Sequence, residues 1–272
     1  MKLDAKTKIC AIIGNPVEHS LSPATHNAGY ETLGLNFAYV AFPVTDIKNG
    51  IEGIRALNIL GVSVTVPHKV SVMPFLDEID KTAKDIGAVN TIVNENGKLI
   101  GYNTDSQGAI KALEEKTTLK NKRVVLIGAG GAARAIAFGL KQKGAHVLIL
   151  NRSREKAKTL ADTIGADFGD LSRLSEIKNS DILIHATPAG MNPHSNESAV
   201  PKEFLHSDVL VFDIVYNPKE TKLLQDAKEV GCQIVYGYKM LVHQAVTQFE
   251  LFTKKKAPLA IMEKELLVCL DF

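Results

Sequence analysis

The sequence predicts an α/β protein of two domains, each built on a parallel sheet covered by helices on both faces. Two observations predict it. Short β-branched runs alternate with helical stretches twice along the chain, and these runs are almost continuously apolar, as strands buried on both faces must be. The length of 272 residues is enough for two sizeable cores.

In the first part "KICAIIG", "NFAYVAFPV" and "GVSVTV" read as strands, separated by helical stretches such as "SPATHNAGYETLG" and "TDIKNGIEGIRAL". In the second part "KRVVLIG", "HVLILN", "DILIHAT", "DVLVFDIV" and "CQIVYG" are strands. Between them "GAARAIAFGLKQKG" and "KETKLLQDAKEVG" are helices, each closed by a glycine. The halves are not repeats of each other, so they are two domains, meeting near residues 103–108. Two helical patterns, "KMLVHQAVTQFELFTKKK" and "PLAIMEKELLVCL", end the chain.

Composition excludes several classes. The apolar fraction is 45% and charged residues are 23%, values of a globular chain rather than a disordered one. A net charge of +2 implies neither a nucleic-acid nor a membrane partner. The most basic run, "TKKKAP", reads as a solvated helix end. Cys10, Cys232 and Cys269 are odd in number and lack C-x-x-C spacing, against a disulfide framework or a zinc site. With no apolar leader and no apolar stretch of about 18 residues, a cytoplasmic protein is expected.

The strongest motif is "VVLIGAGGAARAIAFGLKQKGAHVLILNRS". A strand runs into the G-x-G-x-x-A form of the dinucleotide fingerprint, then into an amphipathic helix and a second strand. Glycine allows the tight turn and lets the backbone approach a pyrophosphate, whose charge sits on the helix N-terminus. At the tip of the second strand, where an NAD site places a carboxylate, the chain has Asn151, Arg152 and Ser153, then Arg154 and Lys156. A guanidinium and an ammonium suit a 2′-phosphate, so NADP is favoured.

The first domain must then supply the substrate site. "NPVEHSLSP", "SVTVPHK", "GAVNT" and "GYNTD" stand at or just after strand ends, the edge where open α/β sheets bind ligands. They gather hydroxyls and amides around one cation, Lys69, and one carboxylate, Asp105, which suits a small polyhydroxylated ligand. His19, His26 and His68 lack companion carboxylates at ligand spacing, so no metal is expected. Without a G-x-S-x-G elbow, Ser20 and Ser22 read as hydrogen-bond donors rather than nucleophiles.

In order and spacing, "GNPVEHSLSPATHN", "VTVPHK", "GAVNT", "GYNTD", "GAGGAAR", "NRS", "ATPAGM", "DIVYNP" and "KMLVHQAVTQFELF" resemble the motifs of the shikimate dehydrogenase family, from about Ile12 to Phe252. The resemblance implies NADP-dependent interconversion of 3-dehydroshikimate and shikimate, on the route to the aromatic amino acids. It also implies an N-terminal α/β substrate domain, residues 1–104 with 241–272, and a C-terminal Rossmann NADP-binding domain, residues 105–240, with a deep cleft between them. Lys69 and Asp105 would be the catalytic pair. Ser20 and Ser22 would bind the substrate carboxylate, with Thr65, Asn90, Gln244 and Tyr216 completing the substrate site. Gly128, Ala129, Gly130, Gly131 and Ala132 would cradle the pyrophosphate, and Asn151, Arg152, Ser153, Arg154 and Lys156 the 2′-phosphate. Thr187 would be a further cofactor contact, and Ile214, Gly237 and Met240 would face the nicotinamide.

Two residues depart from the family pattern: Ser63 and His185 each stand where asparagine is usual. The shorter Ser63 would reach a substrate only through water. Quinate or quinate/shikimate oxidation on the same fold stays open as a reading. So does a non-catalytic dinucleotide sensor, which should lack the Lys69 and Asp105 pair. The partners implied are small molecules, and the chain a monomer or homodimer.

Overall fold

The computed structural model describes residues 3–270. The chain divides into two units, one formed by the N-terminal part up to Asp105 together with the chain from Val242 onward, the other by Ser106–Leu241.

In the first unit the order is β1 (Lys8–Gly14), α1 (Ser22–Thr32), β2 (Phe37–Pro43), α2 (Ile47–Ala56), β3 (Gly61–Val64), a single turn α3 (His68–Ser71), β4 (Glu78–Ile79), α4 (Lys81–Ile86), β5 (Thr91–Glu95) and β6 (Lys98–Tyr102). The strands form one sheet in the order β2-β1-β3-β5-β6-β4. β1 runs parallel to β2 and β3, as the β-α alternation predicts. β5 departs from the predicted parallel sheet, pairing antiparallel with both β3 and β6. The cause is local. Asn96 and Gly97 both have positive φ, 55° and 92°, the conformation of a tight two-residue hairpin turn. Helix starts follow ordinary capping: Asp46 accepts from the N–H groups of Lys48 and Asn49 at α2, and Asp80 from Ala83 at α4.

The second unit contains α5 (Asp105–Glu114) beyond its first residue, then β7 (Arg123–Ile127), α6 (Gly131–Gln142), β8 (His146–Leu150), α7 (Arg154–Ile164), β9 (Asp167–Gly169), β10 (Ile182–His185), β11 (Leu210–Asp213), α8 (Lys222–Val230) and β12 (Gln233–Val235). Its sheet has the order β12-β11-β10-β7-β8-β9, parallel at every pair. This is the doubly wound dinucleotide-binding order, whose switch point lies between β7 and β10. The apolar run of β7 explains itself here. Val124 and Leu126 enter one core while Val125 and Ile127 enter another, so both faces are covered. The two predicted glycine stops hold, since Gly144 and Gly231 follow α6 and α8 at φ 76° and 92°.

α9 (Gly237–Thr253) carries the chain from the second unit into the first, and α10 (Leu259–Leu270) ends it. Within the first unit, rings of α9 sit where glycines leave space. A Cβ on Gly29 of α1 would lie 2.8 Å from Phe249, and one on Gly61 of β3 only 2.2 Å from Phe252. His26 stacks on Tyr39 beneath these rings at 4.3 Å, and burial pushes its imidazole pKa down to about 3, so it stays neutral. Among the described residues no helix is long and apolar enough to cross a membrane.

Because the Phe252 ring fills the space above Gly61, Gly61→Ala is overpacked rather than merely stiffened. It is expected to cost about 1–3 kcal/mol, seen as a lower urea midpoint with an unchanged slope. An unaltered midpoint would show that α9 can shift without loss.

Candidate active site

The first unit converges at the carboxyl ends of β1 and β3. Thr65 N–H donates to Ile13 O, and Asn15 N–H donates to Val66 O, at 2.9 and 3.0 Å. The loop carrying Ser20 therefore lies beside the turn that carries Lys69. Gly14 is required at this contact, because a Cβ there would fall 2.3 Å from Thr65 Cγ2. Ser22 opens α1 and is buried, and its N–H donates to Ser20 Oγ at 3.3 Å. Two hydroxyl residues thus stand at a helix N-terminus, an arrangement that favours a negatively charged group.

Lys69 lies in α3, with Pro67 before it, and its carbonyl accepts from Val89 N–H at 2.8 Å. That bond holds the lysine backbone against the approach to β5. Its Nζ donates to Asp105 Oδ2 at 2.5 Å, with side-chain exposures of 20% for the lysine and 7% for the aspartate. The cation is thus reachable while the carboxylate is enclosed. Lysine has three N–H donors, and only one is taken by this bond. Asp105 begins α5, where the helix dipole favours a carboxylate, and its N–H donates to Asn103 Oδ1 at 3.1 Å.

Asn90 is buried and engaged on every side. Its Nδ2 donates to Asp105 Oδ1 at 2.8 Å and to Thr104 Oγ1 at 2.9 Å. Its Oδ1 accepts from Thr104 N–H at 2.8 Å and from the Thr91 hydroxyl at 2.7 Å. Gln244, also buried, accepts from Thr104 Oγ1 at 3.4 Å. The structure thus joins Lys69, Asp105, Asn90 and Gln244 into one bonded group, while Ser20, Ser22 and Thr65 stand at the neighbouring strand ends. Thr104 belongs to this group and was missed in the sequence, although "GYNTD" contains it.

Ser63 does not reach outward as expected. Its hydroxyl is buried, accepting from Tyr39 OH at 2.6 Å and donating to Gln248 Oε1 at 2.7 Å. Gln248 also went unremarked, although it lies one helical turn beyond Gln244 on the same face of α9.

In the second unit Gly128 has φ 123°, and a Cβ on it would lie 2.5 Å from Ala186 O and 3.3 Å from Thr187 Cγ2. Only glycine fits there. Gly130 precedes α6 without any side-chain cap, and a Cβ on it would meet nothing within 4 Å. Open space beside the uncapped first turn, with Gly131, Ala132 and the adjacent Ala129, fits a dinucleotide pyrophosphate. After β8, Asn151 Nδ2 donates to Ser153 O at 3.0 Å, and Ser153 caps α7 by accepting from Lys156 N–H. Arg154 lies over the Phe168 ring at 5.3 Å. Arg152 and Lys156 are exposed and form no ion pair among the described residues, so both cations are available to a phosphate.

His185 is buried in a closed polar group. Its Nδ1 is 3.0 Å from Asp213 Oδ1 and its Nε2 is 2.5 Å from Thr187 Oγ1. A carboxylate only accepts, so the ring donates from Nδ1 to Asp213. Asp213 also accepts from Val215 N–H at 3.0 Å and Thr221 Oγ1 at 2.7 Å. Thr187 is thereby held beside Gly128. Gly237 approaches the Ile214 carbonyl so closely that a Cβ would lie 2.5 Å from it, and Met240 is buried in the core against which Ile214 packs. Tyr216 follows β11 in the same unit, and burial raises its phenol pKa.

Family models match along the chain: the shikimate dehydrogenase substrate binding domain over residues 12–92, shikimate / quinate 5-dehydrogenase over 110–228, and the shikimate 5′-dehydrogenase C-terminal domain over 237–267. Shikimate dehydrogenase (NADP(+)) of Methanobrevibacter smithii is 48% identical over 281 residues, covering 99% of each chain. A crystal structure of shikimate dehydrogenase in complex with NADP+ superposes with a TM-score of 0.94 at 44% identity, over 98% of this chain and 97% of that one. The enzyme from Thermus thermophilus, in complex with NADP(H) and shikimate, gives 0.91 at 34% identity over 97% and 100%. With these matches spanning both units, the chain belongs to the shikimate dehydrogenase family.

Proposed function

We propose that the chain is an NADP-dependent shikimate dehydrogenase that interconverts 3-dehydroshikimate and shikimate, the first unit holding the substrate and the second the cofactor. The observation that carries this reading is the Lys69–Asp105 pair, a reachable ammonium held at 2.5 Å by an enclosed carboxylate. A non-catalytic sensor has no use for such a pair. Its three cysteines are free, in keeping with a reducing cytoplasm.

Bound NADPH supplies the hydride that reduces the ketone carbon. Reduction builds negative charge on the ketone oxygen, and Lys69 is placed to donate a hydrogen bond and then the proton to it. Asp105 keeps the ammonium aimed and has its own charge supported by Asn90 and the start of α5. Ser20 and Ser22 take the carboxylate, and Thr65 and Gln244 the rest of the substrate, while Asn90, its amide already fully engaged, holds Asp105. Arg152, with Asn151, Ser153, Arg154 and Lys156, holds the 2′-phosphate, while Thr187, Ile214, Gly237 and Met240 serve the nicotinamide half.

The direct test follows reduced-cofactor absorbance with shikimate or quinate, each with NADP or NAD. Shikimate with NADP is expected to be the fastest combination, and faster quinate oxidation would overturn the substrate assignment.

Lys69 acts mainly on the transition state, so Lys69→Ala should lower kcat about 10²–10⁴-fold while the KM for shikimate moves far less. Asp105→Asn should be comparably damaging. The double variant should fall well short of the product of the two losses, because the residues act as one unit. More than about a tenth of the wild-type kcat in Lys69→Ala would reduce the lysine to a binding residue.

Cofactor choice is read separately. Arg152→Ala removes a charge-assisted hydrogen bond worth about 1.5–3 kcal/mol, hence roughly 10–150-fold weaker NADP binding with NAD nearly unchanged. Equal losses for both cofactors in a titration would place the arginine away from the 2′-phosphate.

A further inference from the structure

The hydrogen bonds around Asn90 continue well beyond the reacting pair. Tyr39 OH donates to Ser63 Oγ at 2.6 Å, and Ser63 donates to Gln248 Oε1 at 2.7 Å. Gln248 Nε2 donates to Thr91 Oγ1 at 2.9 Å, and Thr91 donates to Asn90 Oδ1 at 2.7 Å. Asn90 Nδ2 then donates to Asp105 Oδ1 at 2.8 Å, while Lys69 meets the other carboxylate oxygen at 2.5 Å. From Tyr39 to Asp105 no member is more than 7% exposed.

We propose that Ser63, Gln248 and Thr91 are positioning residues for the dehydrogenase reaction, a directed hydrogen-bond chain that starts at the Tyr39 phenol and fixes Asn90, and through it the Asp105 carboxylate that aims Lys69. The proposal rests on Lys69 and Asp105 being the reacting pair.

The direction of the chain follows from counting protons. A hydroxyl has one proton to donate. Burial raises the Tyr39 phenol pKa far above its ordinary value, so the phenol remains a donor. Ser63 accepts that bond and gives its own proton to Gln248 Oε1, which leaves only the amide nitrogen of Gln248 to face Thr91. Thr91, having accepted, donates to Asn90 Oδ1. The far end imposes the same direction independently, because the Thr104 backbone N–H, which can only donate, points at that same oxygen at 2.8 Å. Gln248 Nε2 also donates to the Asn90 carbonyl at 3.2 Å, so α9 holds Asn90 at two points.

Reversing Asn90 would set its amide nitrogen against the Thr104 N–H, and reversing Gln248 would set Oε1 against the Asn90 carbonyl, each at the cost of an unsatisfied buried group. Because an amide neither gives up nor takes a proton at neutral pH, the chain orients and does not conduct. Its effect belongs in the placement of Asp105 during turnover rather than in substrate affinity.

Ser63→Ala deletes the acceptor of Tyr39 and the donor to Gln248 together. It is expected to lower kcat for shikimate oxidation about 5–30-fold, with the KM for shikimate and for NADP changed less than about threefold. Ser63→Thr, which keeps the hydroxyl, should recover most of that loss. Gln248→Glu keeps the shape but cannot donate to Thr91, and should lower kcat at least as far. Tyr39→Phe should act in the same direction but more weakly, and it serves as the milder variant should Ser63→Ala fail to fold.

Unchanged kcat in Ser63→Ala or Tyr39→Phe, with only a lower melting temperature, would overturn the proposal. So would a loss confined to KM, or a loss that Ser63→Thr does not reverse. Lys69→Ala run in parallel separates the two ideas. Full turnover in that variant overturns the reacting pair and the positioning chain with it, whereas inactive Lys69→Ala beside normal Ser63→Ala overturns the chain alone.

Discussion

An enclosed carboxylate at Asp105 is the constraint around which the first unit is arranged. Such a group is tolerable only with a cation and several donors in place, and here each comes from a different stretch of chain. Lys69 arrives from the turn after β3, Asn90 from the segment before β5, and the helix dipole from α5. Meeting at one residue, they dictate that β3 lies beside β5 and β5 beside β6, which is the observed order. The backbone bond from Val89 N–H to Lys69 O keeps the two nearest of these stretches together. α9 is committed as well, since its two glutamines enter the same hydrogen-bond system while its two phenylalanines occupy the spaces that Gly29 and Gly61 leave.

The second unit answers to a backbone constraint in place of a charge. Gly128 must take a conformation closed to other residues and must pass within a Cβ radius of Ala186 O. That contact joins the end of β7 to the end of β10, the two strands that flank the switch point of the sheet. The geometry that leaves the start of α6 uncapped and open is therefore the same geometry that brings Thr187 alongside.

Legibility in the sequence followed the range of the interactions. The segment from β7 through α6 to β8 was readable because strand period, glycines and helix period lie in one continuous stretch of about thirty residues. The basic tip after β8 was equally local. The hairpin joining β5 and β6 carried a local signal too, the Asn96-Gly97 pair, but helices and parallel strands on either side pointed to a uniform parallel sheet. Ser63 could be singled out but not explained, because its partner Gln248 is 185 residues away and nothing near it announces that contact. The same holds for His185, whose carboxylate lies 28 residues further on. Gln248 itself drew no remark, because a polar residue in an apolar helix is explained equally well by solvent exposure until the helix is placed.

The two departures from the family pattern share a physical logic. Ser63 accepts one hydrogen bond from Tyr39 and donates one to Gln248. His185 donates one to Asp213 and is bonded through its other ring nitrogen to Thr187. Asparagine, usual at both places, also offers donors and an acceptor on a short side chain. What each position demands is thus a side chain that hydrogen-bonds two fixed partners in a buried site. Serine meets that demand through one hydroxyl that bonds both partners, and histidine through its two separate ring nitrogens. Buried polar positions of this kind constrain hydrogen-bonding partners and reach rather than one residue type, so a serine and a histidine can each close their own group while Lys69, Asp105 and Asn90 keep the bonds that define the site.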